Sequence, residues 1–361
     1  MIWDGNRNHR IVYRAVSWPG FEEGMEYRMF TEGGSLDLSS STSLKASGTI
    51  PFAGAFPPFG QMVRVIYSIS GIEIPMATLF MDVSEPVYGA GSVTGSAVLT
   101  SVLSVLAERK FGQNHTVRAG SQAVSAAVSL AEDCGLIVNN PDPSAYTLTE
   151  DHVFKPSDSY LTAVDWLLEA AGYMPCFPDA YGVVQMVPRI DPSACTPAWT
   201  FSDGERSIML PEVRRRKADA VPNMAKVWFS NDKESLWSSC ENADPSSPDS
   251  TATRKREVTA TKDVSELEGD TQSKRIAEMK RMAKELLIDG MSPTETVEFT
   301  HAWVPVFPND AVAVRYERHS LAWQGGIESM NIQLSGAVLC TTTATKAVPV
   351  SAKLTVKGGA L

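Results

Sequence analysis

The sequence predicts an α+β chain that is mainly β, with antiparallel sheets or barrels on either side of a compact α+β module. Three observations predict it. Residues 27–88 read as short strands separated by turn residues. Residues 96–190 carry apolar residues at helical spacing. After one long amphipathic helix at 272–288, the chain alternates again as strands to about residue 344.

In the first region, Val63-Arg64-Val65-Ile66-Tyr67-Ser68-Ile69 mixes β-branched and aromatic residues with polar ones. Residues 72–88 add a second run ending in Val83 and Val87, and Gly33-Gly34, Pro57-Pro58 and Gly71 separate the runs. No motif assigns residues 1–25 to an arm or to the first sheet.

The module begins with Val98–Ala107, whose apolar residues recur at helical spacing. In Gln122–Cys134, Val124, Ala127, Val128 and Leu130 lie on or near one helical face, and Gly135 supplies a stop. Leu161, Val164, Leu167, Leu168 and Ala171 form another face, with Asp158 and Ser159 as caps and Gly172 as the end. Tyr173–Val187 reads as two short strands around an Asp179-Ala180-Tyr181-Gly182 turn.

Ala225–Phe229 is the next strand, followed by the polar loop 241–251, too rich in Pro, Ser and Asp to be regular. In Gln272–Ile288, Ile276, Met279, Ala283, Leu286 and Leu287 make one stripe. Lys274, Arg275, Lys280, Arg281 and Lys284 make the polar side, and Gly290 and Pro293 end the helix. Thr296–Val304, Ala311–Tyr316, Gly326–Leu334 and Ala337–Ala344 alternate as strands. The last residues are short and polar, a peripheral strand or a loose tail.

A length of 361 residues implies two or three domains. With 43% hydrophobic and 20% charged residues there is ample apolar surface to bury, which argues against global disorder. The net charge of −10 argues against a protein that grips DNA by neutralising phosphate, and against adhesion to anionic lipid. Cysteines at 134, 176, 195, 240 and 340 show no zinc spacing and read as free thiols of a reducing cytosol. Residues 1–13 carry charges and no apolar core of a secretory signal. The longest uncharged stretch, between Glu85 and Glu108, is rich in Gly, Ser and Thr, so no membrane span is expected.

The search for chemistry is mostly negative, with no metalloprotease, nucleophile-elbow or phosphate-loop motif. Gly89-Ala90-Gly91-Ser92-Val93-Thr94-Gly95 has its last glycine one residue late for a dinucleotide loop, and reads as a hinge or linker. His9, His115, His152, His301 and His319 show no metal spacing. A Cys176–His152 nucleophile pair has no motif behind it. Glu22-Glu23, Glu132-Asp133 and Glu150-Asp151 read first as solvated surface, and the Asp244–Asp249 loop lacks the residue order of a calcium loop. The basic run Arg214-Arg215-Arg216-Lys217 has no interleaved aromatics and reads as a protein-facing salt-bridge patch rather than a nucleic-acid contact. No catalytic, cofactor-binding or metal-binding residue is predicted, and no enzyme activity.

One ordered series of segments carries a resemblance. Leu161–Tyr173 followed by Pro178–Val184 is a helix ending in a Gly–aromatic pair, then an Asp-and-Gly turn between two strands. Then come Pro222–Val227, the polar loop Glu241–Pro248, a helix at Ser273–Leu287, and Pro308-Asn309-Asp310-Ala311-Val312. In this order the pieces resemble phage tail hub proteins over about residues 25–340. The resemblance implies two tail-tube-like antiparallel β-barrel domains: the first from 1–95 and 191–220, the second over 221–345 with its helix at 272–288. The α+β module 96–190 would be a peripheral insertion and 346–361 a C-terminal tail. It implies a homotrimer whose six barrels match a six-fold tail tube. Its partners would be the tail tube or distal tail protein, the tape measure protein and tip or fibre proteins. DNA would pass through unbound, and the location would be the virion tail, assembled in the host cytoplasm. Two other readings compete: a host-receptor or glycan-binding tail module using Tyr146, Tyr160 and Tyr181, and a tail-associated cell-wall hydrolase.

Overall fold

The computed structural model describes residues 8–55, 60–83, 86–89, 91–140, 144–204, 207–217, 221–231, 234–264, 267, 271–291, 294–347 and 352–360. Pro57-Pro58, Ala90 and the helix-stop Pro293 lie outside the described residues. Strand outweighs helix, 47% against 17%, as a mainly β chain requires.

The first strands are β1 (His9–Val16), β2 (Glu23–Glu26), β3 (Gly34–Ser39), β4 (Ala46–Ala53), β5 (Met62–Ile69), β6 (Ile72–Val83), β7 (Val87–Tyr88) and β8 (Val93–Ser101). The module holds α1 (Ser104–Glu108), β9 (His115–Val117), α2 (Ala123–Glu132), β10 (Val138–Asn139), β11 (His152–Phe154), α3 (Tyr160–Ala170), β12 (Phe177–Pro178) and β13 (Val184–Gln185). There follow β14 (Trp199–Ser202), β15 (Met209–Lys217), β16 (Met224–Ser230), β17 (Ser235–Asn242), α4 (Thr251–Arg254), β18 (Thr259–Val264) and α5 (Gln272–Gly290). The chain ends with β19 (Thr294–Ala302), β20 (Ala311–Tyr316), β21 (Leu321–Leu334), β22 (Leu339–Ala347) and β23 (Leu354–Ala360).

The chain divides into two compact units, Met1–Val213 with Glu298–Ala344, and Arg214–Val297 with Thr345–Leu361. The largest sheet has 14 strands in the order β15-β19-β22-β21-β3-β4-β8-β6-β5-β1-β2, with β20 on β21, β14 on β20 and β7 on β8. Its path is open, so among the described residues no barrel closes within one chain. The reason is visible at β2, a four-residue strand exposed throughout that pairs only with β1.

Side-chain patterns follow sheet position. β4 alternates between buried and exposed, whereas β5 is buried at every position and so lies in the interior on both faces. Residues 9–16 and 23–26 join this sheet rather than forming an arm. Val98–Ala107 is not one helix. It continues β8 to Ser101, pairs with β4 and β6, and turns helical only at α1, because two strand neighbours outweigh local helical spacing. The strands of 298–344 also differ from expectation. β21 pairs with β3, Met330 opposite Leu38, and buries Ile327, Met330, Ile332 and Leu334 in the first unit rather than in a separate barrel with residues 221–264.

In the second unit a four-stranded sheet, β18-β16-β17-β23, packs against α5. Met279, Ala283 and Leu287 of the helix stripe are fully buried with Ala225, Val227, Leu236 and Cys240. The tail is thus an edge strand, β23, paired with β17. The polar loop after β17 is ordered by side-chain bonds. Buried Asn223 donates to the carbonyls of Asp249 and Arg256 and accepts from the Val258 amide.

The module contains an internal duplication, two strand–turn–helix halves offset by 37 residues (His115 to His152). The β9–β11 pair is symmetric about its centre: His115 faces Phe154, Thr116 faces Val153 and Val117 faces His152. Bridges Lys110–Ser159 and Thr147–Gln122 are each other's equivalents. So are the bonds from Tyr160 N to Arg109 O and from Ala123 N to Tyr146 O. Buried Val124, Ala127, Leu130 and Ala131 of α2 match Leu161, Val164, Leu167 and Leu168 of α3, and Gly135 and Gly172 end the two helices at φ 80° and 75°.

Candidate functional site

Several candidate chemical groups of the sequence are taken up by structural contacts. Cys176 is fully buried, burial pushes its thiol well up, and its amide donates to Asp165 Oδ1 at 2.9 Å. His152 instead stacks on Trp166, ring centroids 3.6 Å apart. A neutral buried thiol is a poor nucleophile. His301 is buried, with Nδ1 at 3.0 Å from the Ala302 carbonyl and Nε2 at 2.9 Å from Thr342 Oγ1. Among the described residues no group of three His, Cys, Asp or Glu side chains is placed to hold a metal ion. Among the described residues no helix is long and apolar enough to cross a membrane.

Four of the acidic candidates are similarly engaged. Glu23 pairs with Arg14 at 2.9 Å and with Arg64, and Asp151 accepts the Ala119 amide at 2.7 Å. In the 244–249 loop, Asp244 accepts from Ser246 N and Oγ, and Asp249 pairs with Arg254. Of Gly89–Gly95, the residues Val93–Gly95 open β8, Val93 and Thr94 pair with β7, and Gly89 N donates to Ser92 O at 2.8 Å. Of the basic run, which lies in β15, Arg215 pairs with Glu295, whose other oxygen is 3.4 Å from Lys346 Nζ. Burial alone would raise the Glu295 carboxyl. The Arg215 hydrogen bond and the Lys346 charge outweigh it and hold the group below its usual range.

The aromatic candidates are partly spoken for. Tyr160 lies between Phe111, stacked at 4.5 Å, and the Arg109 guanidinium, 4.6 Å from its ring centre. Tyr181 carries Arg64 over its ring, and Tyr146 remains 40% exposed.

Sequence reasoning missed a cavity of about 470 Å³ in the first unit. The turn after β3, the middle of β6, residues 174–187 and the Phe307–Asp310 turn surround it. Most of its surface is apolar. The ionisable groups in its wall are Lys45, Asp179, Asp310 and Tyr181. Asp179 accepts from Tyr181 N at 2.8 Å, Val183 N at 3.0 Å and Gln185 Nε2 at 3.0 Å. Asp310 accepts the Phe307 amide at 2.8 Å, and burial raises its carboxyl. No periodicity signals Lys45 as a wall residue, because the cavity is assembled from segments far apart in the chain, from the β3–β4 turn to Phe307–Asp310.

No family sequence profile matches the chain. No curated protein matches its sequence. Solved structures do share its fold. A tail protein from Neisseria meningitidis MC58 superposes with a TM-score of 0.64 at 15% identity, over 94% of this chain and 96% of that one. The 43 kDa tail protein of prophage MuSo2 from Shewanella oneidensis gives 0.63 at 14% identity, over 94% and 98%. A chain of the Francisella PdpA–VgrG complex gives 0.55 at 9% identity, over 95% of this chain and 58% of that one. The fold is shared with these tail proteins over 94% of the chain, in keeping with the resemblance carried by residues 25–340.

Proposed function

We propose that the chain is the structural hub of a phage tail tip or baseplate, with no enzymatic role of its own. The observation that carries this reading is the likeness to two tail proteins, one of them from a prophage, over 94% of the chain, with nearly all of each relative covered. Copies form a homotrimeric ring that joins the six-fold tail tube to the three-fold tip. Each chain gives the ring two tube-type domains, and the sheets, open within one chain, complete barrel-like walls beside those of neighbours. The 96–190 module sits on the periphery. The ring contacts the tail tube or distal tail protein, the tape measure protein and tip or fibre proteins. Its place is the virion tail, after assembly in the host cytoplasm.

A ring that passes DNA works best when it does not hold it. Each basic contact to phosphate adds counterion-release affinity, so a net charge of −10 favours sliding over gripping. The pairing of Arg215 with Glu295 supports a protein-facing role for the basic run. The competing readings have less behind them, since Tyr160 and Tyr181 have ring faces covered by arginine and Cys176 is a buried thiol.

A map of the assembled tail tip tests the proposal. Three-fold density with six barrel-like lobes is the expected result, and the purified chain should form trimers alone or on meeting its tail partners. A strict monomer inside the assembled tail would overturn it.

A further inference from the structure

Three observations converge on Lys45 in the cavity wall. Its backbone has φ of 64°, a left-handed conformation that long side chains rarely adopt. Its side chain is buried at 9% exposure, so the ammonium is largely removed from water. Among the described residues Nζ makes a single hydrogen bond, to the Ser40 carbonyl at 2.8 Å, where an ammonium offers three donors. Strain and a buried charge at one residue are costs that closing the β3–β4 turn does not require, because glycine would hold the same turn without either.

The other charges of the wall do not take up the ammonium. Both oxygens of Asp179 are engaged by its own turn, and Asp310 accepts from Phe307. Asp165, close enough to interact electrostatically with Lys45, accepts the Cys176 amide. The remaining wall is apolar, with Met76, Leu79, Phe177 and Phe307 among its residues. A concave apolar site with one under-used cation fits an apolar body carrying one anionic group.

We propose that this cavity binds a small ligand with an apolar body and a single carboxylate, the carboxylate on Lys45 Nζ and the body against Met76, Leu79, Phe177 and Phe307. The site does not depend on the hub reading, and it is tested on the isolated full chain.

The experiment is calorimetric titration with decanoate, decanol and decyltrimethylammonium, which share one tail and differ in head charge. Decanoate should bind one site per chain, at least about tenfold more tightly than decanol, with decyltrimethylammonium weakest. Lys45→Met should abolish that preference and Lys45→Arg should keep much of it. Lys45→Gly removes both charge and strain. It should lose the preference while its melting temperature rises by roughly 2 °C, and it carries the test if Lys45→Met misfolds. Absence of saturable decanoate binding, equal binding of decanol, or a preference that survives Lys45→Gly would overturn the proposal. A lower melting temperature for Lys45→Gly would overturn the strain argument on which it stands.

Discussion

Arg64 and Tyr181 meet twice: Nη2 of the guanidinium donates to the Tyr181 carbonyl at 3.2 Å, and Cζ lies 4.9 Å from the centre of the tyrosine ring. Arg64 is 3% exposed, and it also donates to Thr78 Oγ1 at 2.8 Å and pairs with Glu23. Thr78 in turn donates to the Ala180 carbonyl at 2.8 Å. One buried cation in β5 thus fastens the module's 179–182 turn to the main sheet.

Truncating the two partners should therefore have unequal effects. Arg64→Ala leaves acceptors from three segments without their donor and should cost about 3 kcal/mol. Tyr181→Ala keeps the carbonyl bond and loses only the ring, so about 1 kcal/mol is expected. Urea unfolding of both variants measures the difference, and equal losses would mean that the ring, not the hydrogen bonds, holds the turn.

Gly182 follows in the same turn at φ 87°, and a Cβ there would stand 2.6 Å from Cε1 of the Phe21 ring. Gly182→Ala should cost about 2 kcal/mol, part backbone strain and part clash. In a double-mutant cycle, Phe21→Ala should recover the clash portion and leave the strain. Strict additivity of the two losses would contradict the contact.

Ala283 on α5 is fully buried, in one core with the sheet residues Val227 and Leu236. Ala283→Asp places an unpaired carboxylate there and should destabilise the second unit by several kcal/mol, roughly 3 or more. Ala283→Ser should cost far less. Far-UV circular dichroism through a denaturant series checks both, and a normally folded aspartate variant would contradict the burial of this stripe.

The Glu295 carboxyl is held below its unfolded value of 4.5. Its contribution to stability is therefore complete above that pH and is lost as pH falls through the lower folded value. Asp165 and Asp310, raised from 3.8 mainly by burial, act with the opposite sign and favour the fold on acidification. Thermal unfolding between about pH 7 and pH 3 should show the Glu295 part as a slope that Glu295→Gln reduces. Asp165→Asn should raise stability at pH 7. An unchanged slope in Glu295→Gln would place the ion pair outside the folding equilibrium.

Long periodic segments were legible in the sequence for a physical reason: helix α5 and the stripes of α2 and α3 bury one face each, and that face is written at 3.6-residue spacing. The Asp179–Gly182 turn was legible because its chemistry is local. Val98–Ala107 was not, since its apolar spacing fits a helix until two neighbouring strands claim Val98–Ser101. The allegiance of β19–β22 was hidden for a similar reason. Pairing Met330 with Leu38 joins residues almost three hundred positions apart, which no local pattern records. Lys45 looks like any surface lysine until the cavity wall is assembled around it.

The duplication carries one more consequence. Neither half can satisfy itself alone: β9 needs β11 for its ladder, and α2 needs α3 to cover its stripe. A polypeptide with a single copy would find both only in a second molecule of its own kind, so the module has the form of a homodimer held within one chain. Within one chain the halves need not be identical. Tyr160 now stands where the other half has Ala123, Trp166 where it has Ser129, and Phe154 where it has Val117. The exchange runs the other way at Phe111, which stands where the second half has Leu148.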